Sequence, residues 1–201
     1  IRDVERSRGL GDVYKRQVFD GASIAVAADG EVIVQGASFR EALVPVDISS
    51  VGAGPLQLAG ERLPVPGDEE AVYEALVLAV RDYVHKSGFR GALLGLSGGI
   101  DSALTLAIAV DALGAEAVEA VMMPFRYTAA MSIEDAEKQA RTLGVHYRVL
   151  PIEPAFNGFM DILSEAFSDT ETDVTEQNLQ ARCRGTLLMA LSNKRGALVL
   201  T

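Results

Sequence analysis

The sequence contains few residues of several kinds, and each shortage excludes a class of protein. Cys183 is the single cysteine, which excludes an intramolecular disulfide and favours a reducing compartment such as the cytoplasm. Lysine and arginine number 18 against 28 aspartate and glutamate residues, so the formal net charge is −10. A duplex-binding surface needs clustered basic residues, and we therefore expect no nucleic-acid partner. No apolar run is long enough to span a bilayer, so we also expect no membrane partner.

The composition is otherwise that of an ordinary globular protein, with 49% apolar and 23% charged residues among 201. Residues 1–17 show neither helical nor strand periodicity, and we expect them to be disordered or non-native. Residues 18–48 contain two short β-rich runs around the hairpin signal Asp29-Gly30. Residues 49–67 are rich in glycine and proline and predict an interdomain linker. Residues 68–201 have a different pattern and predict a second domain.

From residue 68 onward, short apolar runs alternate with helical patterns. Such alternation predicts an α/β fold, a parallel sheet with helices on both faces. Ser132 and Asp135 predict a capping box at the start of one helix. The last predicted strand ends at Thr201 without the helix that usually follows a parallel strand, so we expect a truncated domain. The predicted strands cover 92–96, 118–122, 145–150 and 197–200, and the predicted helices cover 68–88, 102–113, 132–143, 154–167 and 175–194.

The stretch GLSGGIDS follows the first of these strands and opens the next helix. Its two glycines allow positive φ angles and a close approach of the backbone to a ligand. The N–H groups of the loop and of the helix start favour an anion. Asp101 would repel a lone phosphate, and a divalent cation between the two removes this conflict. The structural alternative is a glycine-rich turn in which Asp101 and Ser102 cap the helix.

The loop matches neither G-x-x-x-x-G-K-[ST], since it has no lysine, nor G-x-G-x-x-G. Its pattern S-G-G-x-D-S resembles the pyrophosphate loop of the N-type ATP pyrophosphatases. The stretches MMPFRYTAAMSIEDA and TEQNLQARCRGTLLMALSNKRGALVLT narrow the resemblance to the synthetase domain of glutamine-dependent NAD⁺ synthetases. It runs from about Asp68 to Thr201, and residues 18–48 resemble the closing strands of that family's nitrilase-like glutaminase domain. The resemblance implies an adenine nucleotide alpha hydrolase-like, Rossmann-like fold, ligase activity and homo-oligomers built on synthetase-domain dimers.

The resemblance also implies a reaction and a set of site residues. In the family, the nicotinate carboxylate of deamido-NAD⁺ attacks the α-phosphate of ATP, pyrophosphate leaves, and glutamine-derived ammonia converts the acyl adenylate to the amide and AMP. The implied cofactor is Mg²⁺ with Asp101 as its ligand, and the implied deamido-NAD⁺ contacts are Asn178, Arg182 and Glu176. The implied ATP-binding residues are Gly95, Leu96, Ser97, Gly98, Gly99, Ile100, Asp101 and Ser102.

Several interpretations stay open. Residues 126–128 follow the second strand and are candidate adenosine contacts or ordinary loop residues. Another N-type ATP pyrophosphatase, such as a GMP synthetase, an asparagine synthetase or a tRNA-modifying enzyme, is the first rival, and a non-catalytic nucleotide-binding fragment is the second. Cys183 lies on a synthetase helix and cannot replace the glutaminase nucleophile. Because the family's later Gly-Asn-Lys-Ser-Glu motif is absent, we expect no turnover by these 201 residues alone.

Overall fold

A computed structural model describes residues 18–50, 54 and 56–201 of the chain. The prediction made for residues 1–17 therefore lies outside the described residues. The chain divides into two compact units with the border between Ala79 and Val80, and each unit is described by itself. Among the residues that the structure describes, no helix combines the length and the apolar character needed to cross a bilayer.

The first unit consists of two small antiparallel pairs. Strand β1 (Ile24–Val26) pairs with β2 (Val32–Gln35), and β3 (Val46–Ser49) pairs with β4 (Gln57–Gly60). The β1–β2 hairpin agrees with the Asp29-Gly30 signal. Strand β4 lies inside the segment that the sequence predicts as a linker. Strand propensity is weak and context-dependent, so a segment with little pattern of its own pairs once β3 supplies its backbone donors and acceptors.

The second unit contains a four-stranded sheet in the order β7–β6–β5–β8, and all neighbouring strands are parallel. This topology confirms the predicted α/β fold. Of the elements named next, α1 begins before the border between the two units, and all the others lie after that border. The elements are α1 (Asp68–Lys86), β5 (Ala92–Gly95), α2 (Ile100–Leu113), a 3₁₀ turn (Ala115–Ala117), β6 (Val118–Met122), α3 (Ala130–Leu143), β7 (His146–Val149), α4 (Glu153–Leu163), α5 (Val174–Arg195) and β8 (Leu198–Leu200).

The sheet has an apolar core on each face, because successive side chains of a strand point to opposite sides. Leu94 packs with residues of α2 and α3 on one face, and Leu93 packs with residues of α4 and α5 on the other. A fully buried leucine contributes about 1.5–3 kcal/mol, so both helix layers are held mainly by apolar burial. The first core includes Leu96, Leu106, Ala109, Ala120, Ala136 and Ala140, and the second includes Val121, Ile152, Phe156, Cys183 and Leu188.

The predicted capping box at Ser132 is wrong. Helix α3 begins at Ala130, its N-cap is Ala129, and no side chain caps it. Ser132 is therefore the third helical residue, since the helix starts two residues earlier than its sequence signal indicates. A capping box does occur at the start of α5. There the Asp173 carboxylate accepts the Thr175 N–H at 2.7 Å, and the Glu176 carboxylate accepts the Asp173 N–H at 2.8 Å.

Candidate functional site

The carboxyl ends of the parallel strands form the edge of the sheet at which ligands of open α/β folds bind. The chain runs from β5 to β6 and β7 on one side, and then returns to β8 on the other side of β5. The topological switch point therefore adjoins the end of β5. The predicted phosphate-binding stretch, residues 95–102, starts at the last residue of β5. We call it the phosphate loop.

The two serines of the phosphate loop are bonded to each other and to the backbone between them. The Ser97 N–H donates to Ser102 Oγ at 3.2 Å, and the Gly99 N–H donates to Ser97 Oγ at 3.2 Å. Ser102 Oγ donates to the Gly99 carbonyl at 3.0 Å, and the two hydroxyl oxygens lie 3.0 Å apart. A hydroxyl has one proton, and that of Ser102 is used in the bond to Gly99. The hydrogen bond between the two hydroxyls is therefore donated by Ser97. These bonds connect the two ends of the loop.

This network determines which backbone donors remain for an anion. The N–H groups of Ser97 and Gly99 are already used by serine oxygens. The first N–H groups of an α-helix have no intrahelical partner, and the N-cap of α2, Gly99, provides no side-chain hydrogen bond. The donors that best suit an anion are therefore those of the first turn of α2, where the helix dipole also favours negative charge.

Gly98 brings the phosphate loop into close contact with α3. Its φ angle is +80°, and a Cβ atom on it would overlap the carbonyl oxygen of Ser132. Since α3 begins at Ala130 without a side-chain cap, a second helix N-terminus lies against the loop. The sequence predicts the glycines for ligand approach, but it does not predict that one of them is required by a neighbouring helix.

Asp101 is exposed in the first turn of α2. Its carboxylate makes no hydrogen bond or ion pair with another residue in the described part of the chain, and its carbonyl accepts a bond from Thr105 Oγ1 at 2.8 Å. Within the described ranges, no three His, Cys, Asp or Glu residues are grouped as a metal site. One free carboxylate beside a phosphate-binding turn fits Mg²⁺, which is often bound by one or two carboxylates together with substrate phosphates.

A cavity of about 290 Å³ opens beside the phosphate loop. Gly95 and Ser97 of the loop line it, together with Thr128 from the segment after β6 and Arg184 from α5. Its volume is near the lower limit of about 300 Å³ for small-molecule pockets. Leu96, Val121, Met122 and Met123 complete the lining, so the floor is apolar and the polar groups converge from three elements.

Residues 126–128 play three different parts in the structure. Arg126 Nη2 lies 2.7 Å from Glu153 Oε1 and donates to Asn157 Oδ1 at 3.1 Å, so its guanidinium is engaged by α4. Tyr127 is 83% exposed. Thr128 Oγ1 accepts the Phe125 N–H at 2.9 Å. Of the three candidate adenosine contacts, Thr128 is the one that lines the cavity.

The predicted substrate residues on α5 do not all share one surface. Asn178 and Arg182 are exposed and line a groove of about 780 Å³ along this helix, as expected for residues four apart. Glu176 belongs to the capping box instead. Arg184, which the sequence analysis does not single out, is on the sheet side of the helix, where its Nε donates to the Met123 carbonyl at 3.2 Å. The sequence carries no signal for it, because Arg182 and Arg184 both adjoin Cys183 in the ARCRG stretch.

Cys183 is buried in the core between α5 and the sheet. Burial raises the pKa of its thiol, and the positive charge of the neighbouring Arg184 opposes this effect without outweighing it. The thiol is therefore protonated at neutral pH and has little thiolate character. This agrees with a packing role rather than a nucleophilic one.

A family model described as NAD synthase matches residues 72–201, which include the phosphate loop, the cavity and α5. The chain belongs to the NAD synthase family. This confirms the resemblance that the loop and the two longer stretches indicate. The matched residues begin inside α1 and continue to Thr201, so they include all four strands of the parallel sheet.

Known members of the NAD synthase family are similar over much of the chain. The glutamine-dependent NAD(+) synthetase of Acinetobacter baylyi is 51% identical over 186 residues, covering 92% of this chain and 34% of the relative. The solved glutamine-dependent NAD+ synthetase from Acinetobacter baumannii, in complex with ADP, is 40% identical with a TM-score of 0.76, covering 98% of this chain and 40% of that one. The NH3-dependent NAD synthetase from Campylobacter jejuni is 31% identical with a TM-score of 0.60, covering 67% and 56% respectively.

The chain spans about a third of the length of the curated NAD synthetases that it matches. The comparisons identify the family and the fold, and they do not assign single residues. The roles predicted for the phosphate loop, Asp101, Asn178, Arg182 and Glu176 therefore stay predictions, to which the geometry above adds physical content.

Proposed function

We propose that this chain is the part of a glutamine-dependent NAD⁺ synthetase that binds ATP and deamido-NAD⁺ for the amidation of deamido-NAD⁺ to NAD⁺ through an acyl adenylate, and that these 201 residues alone do not turn over. The observation that carries the proposal is the phosphate loop, which is held by its own serines at the end of β5 inside the NAD synthase match. The relative from Acinetobacter baumannii was solved in complex with ADP, which supports an adenine nucleotide as the ligand of this edge.

The proposed reaction has two steps. An oxygen of the nicotinate carboxylate attacks the α-phosphorus of ATP, the bond to the β-phosphate oxygen breaks, and pyrophosphate leaves. Ammonia then attacks the carbonyl carbon of the acyl adenylate, AMP leaves with the carboxylate oxygen, and the nitrogen loses one proton. The task of the protein in both steps is to position the reactants and to stabilise developing negative charge.

The residues of the chain divide this task between two subsites. The N–H groups at the start of α2 would bind the pyrophosphate end of ATP, and the neighbouring 290 Å³ cavity would receive the rest of the nucleotide. Both serine hydroxyl groups already donate hydrogen bonds inside the loop. A phosphate that accepts a hydrogen bond from Ser97 or Ser102 therefore replaces one of these internal bonds. The glycines allow the backbone to approach the phosphates.

Mg²⁺ fits this arrangement with Asp101 as its protein ligand. When bound, the ion neutralises charge on the phosphates and so assists the departure of pyrophosphate. We expect Asp101→Asn to weaken ATP binding in the presence of Mg²⁺ and to strengthen it when EDTA is present, because the carboxylate without its cation repels the phosphates. Titration calorimetry under the two conditions measures this difference. An equal effect with and without Mg²⁺ would contradict the metal role and favour a helix-capping role for Asp101.

Deamido-NAD⁺ is proposed to contact Asn178 and Arg182, which face the same groove on α5. An exposed guanidinium suits the planar, bidentate recognition of a carboxylate or a phosphate. We expect Asn178→Ala to weaken deamido-NAD⁺ binding without changing ATP binding. Gln177→Ala is the matched control, because Gln177 is also exposed on α5 but does not line the groove. Glu176 stays a weaker candidate, since its carboxylate serves the helix cap.

Another N-type ATP pyrophosphatase remains the rival function, and its substrates provide the direct test. Titrations of the chain with ATP and Mg²⁺ are followed by deamido-NAD⁺, xanthosine monophosphate or aspartate. We expect ATP to bind first. Of the three substrates added afterwards, we expect only deamido-NAD⁺ to give a second binding event. Binding of xanthosine monophosphate or aspartate in its place would reject the assignment, and absence of ATP binding would reject both functions for this chain.

The remaining parts of the proposal concern the rest of the protein. We propose that residues 18–48 belong to the end of a nitrilase-like glutaminase domain that supplies ammonia. In support, the Acinetobacter baylyi relative aligns with 92% of the chain, whereas the NAD synthase match begins at residue 72. We also propose a cytoplasmic homo-oligomer. The buried reduced thiol of Cys183 supports the compartment, and sedimentation velocity measures the oligomeric state.

A further inference from the structure

We infer that Arg184 binds the phosphate groups of ATP and supplies the cation that the phosphate loop itself lacks. This inference rests on the proposed function and names a further residue of the same site. The loop sequence SGGIDS contains no lysine or arginine, whereas four negative charges of ATP would have to be balanced there. The tertiary structure brings Arg184 from α5 to the cavity that Gly95 and Ser97 line.

The position of Arg184 is set by the core and by one hydrogen bond. Its chain neighbour Cys183 is 2% exposed in the core between α5 and the sheet, so the backbone at this point of α5 cannot shift easily. The Nε atom donates to the Met123 carbonyl at the end of β6 at 3.2 Å. This bond uses one of the five N–H donors of the guanidinium and anchors the group at the cavity wall.

The rest of the Arg184 guanidinium has no partner among the residues that the structure describes. In the described part of the chain, no carboxylate lies within ion-pairing distance of Arg184, and no hydrogen bond involves its Nη atoms. Arg126 and Arg148 differ in this respect, since each pairs with a glutamate. A half-buried cation is stabilised by an anionic partner, and the cavity beside it is the place where a ligand can provide one.

A phosphate is the anion that fits these constraints best. The planar guanidinium presents paired donors that match two phosphate oxygens, and the adjacent turn of α2 presents backbone donors to the same kind of group. The competing role is contact with the base or ribose, because the cavity floor is apolar. The two roles differ in what they predict for adenosine, which has no phosphate.

The experiment compares ATP and adenosine binding by titration calorimetry of the whole chain and its variants. We expect Arg184→Gln to weaken ATP binding at least about tenfold, since it removes charge-assisted hydrogen bonds to the phosphates, and to change adenosine binding less than twofold. Arg184→Lys keeps the charge and restores part of the ATP affinity. Lys138→Gln is the control for net charge, because Lys138 is exposed on α3 away from the cavity lining.

Each outcome bears on the inference. Equal weakening of ATP and adenosine by Arg184→Gln would overturn it in favour of a base contact or a packing role, and so would unchanged ATP binding. If the unaltered chain binds adenosine but not ATP, the inference fails together with the proposed function. If ATP binds and responds only to Lys138→Gln, the inference alone fails. Thermal unfolding without ligand verifies that each variant is folded. If Arg184→Gln does not fold, the comparison of ATP with adenosine is made with Arg184→Lys.

Discussion

At the scale of single residues, the candidate site depends on the missing side chain of Gly98 as well as on the hydroxyl groups of Ser97 and Ser102. Gly98 has a positive φ angle and no room for a side chain beside Ser132. The hydroxyls of Ser97 and Ser102 complete the loop by bonding to each other. These internal hydrogen bonds restrict the loop, and a restricted loop lowers the entropic cost of binding.

Gly98→Ala tests the contact between the phosphate loop and α3. A positive φ angle costs an alanine about 1–3 kcal/mol, and the overlap with Ser132 adds about 1–3 kcal/mol more, as overpacking does in cores. Gly88→Ala is the control for the φ angle, because the φ angle of Gly88 is +76° and nothing lies within 4 Å of an added Cβ. Urea denaturation measures both variants. Equal losses of unfolding free energy would mean that α3 does not press on the loop.

At the scale of elements, Glu119 joins one helix and two strands by charge. It lies on β6 and is 5% exposed. Its Oε1 accepts from Arg148 Nε of β7 at 2.9 Å, and its Oε2 pairs with Arg195 at the end of α5. This ion triad lies at the amino end of β6, the opposite end from the phosphate loop. It therefore contributes to the packing of the unit and not to the proposed site.

Glu119→Ala is expected to lower the free energy of unfolding by about 1–3 kcal/mol, the cost of leaving hydrogen-bonding groups unpaired. The larger value of about 3–5 kcal/mol for fully buried pairs does not apply, because both arginines stay partly exposed to water. The exposed Glu116→Ala serves as the reference and is expected to change stability by less than about 0.5 kcal/mol. A Glu119→Ala chain as stable as the reference in urea would show that the triad contributes nothing net.

The start of α5 predicts a pH dependence. The Asp173 carboxylate accepts the Thr175 N–H, and this hydrogen bond lowers the pKa of Asp173 below its ordinary value. A lowered pKa in the folded state means stability that is present above the unfolded pKa of about 3.9. That stability is lost as the pH falls through the lower folded value.

We therefore expect the stability advantage of the natural chain over Asp173→Ser to decrease below about pH 4. Serine also caps helices well but does not titrate in this range, so the difference between the two chains isolates the carboxylate. Urea unfolding curves between neutral pH and the acid limit of folding measure it. A difference that is constant with pH would contradict the role of the ionised cap.

At the scale of the whole molecule, the chain consists of two units that the sequence separates at a different place from the structure. Composition predicts a boundary between residues 67 and 68, whereas compactness divides the chain between Ala79 and Val80, inside α1. Residues 64–67 have no regular secondary structure, and α1 continues unbroken from Asp68 to Lys86. An uninterrupted helix resists cleavage better than an irregular segment.

Limited proteolysis of the chain with a protease of broad specificity distinguishes the two boundaries. We expect the first cut between residues 64 and 67 and a protected fragment that begins near Asp68. Mass spectrometry of the fragments identifies the cut. An early cut near Ala79 would show that α1 opens at the border between the units, and would place the start of the second domain later than the composition does.

The sequence by itself determined the order of elements in the second unit and the nature of its phosphate loop. Both are local properties: the period of apolar residues specifies strand or helix, and two glycines with two serines specify a tight turn between strand and helix. The predicted start of α5 at Thr175 lies one residue from the observed Val174, whereas α3 begins two residues before its predicted start at Ser132, because Ala129 carries no capping side chain that would mark it. The capping box of Asp173 and Glu176 was not among the predictions.

The tertiary structure alone decided which distant residues meet at the site. Arg182 and Arg184 are two residues apart and look equivalent in the sequence, yet one faces an outer groove and the other the cavity beside the phosphate loop. Which of them faces inward depends on how α5 is rotated against the sheet, and that rotation is set by Cys183 and Leu188 in the core. Packing of side chains far apart in the chain, which no local pattern records, therefore selects the cation of the site.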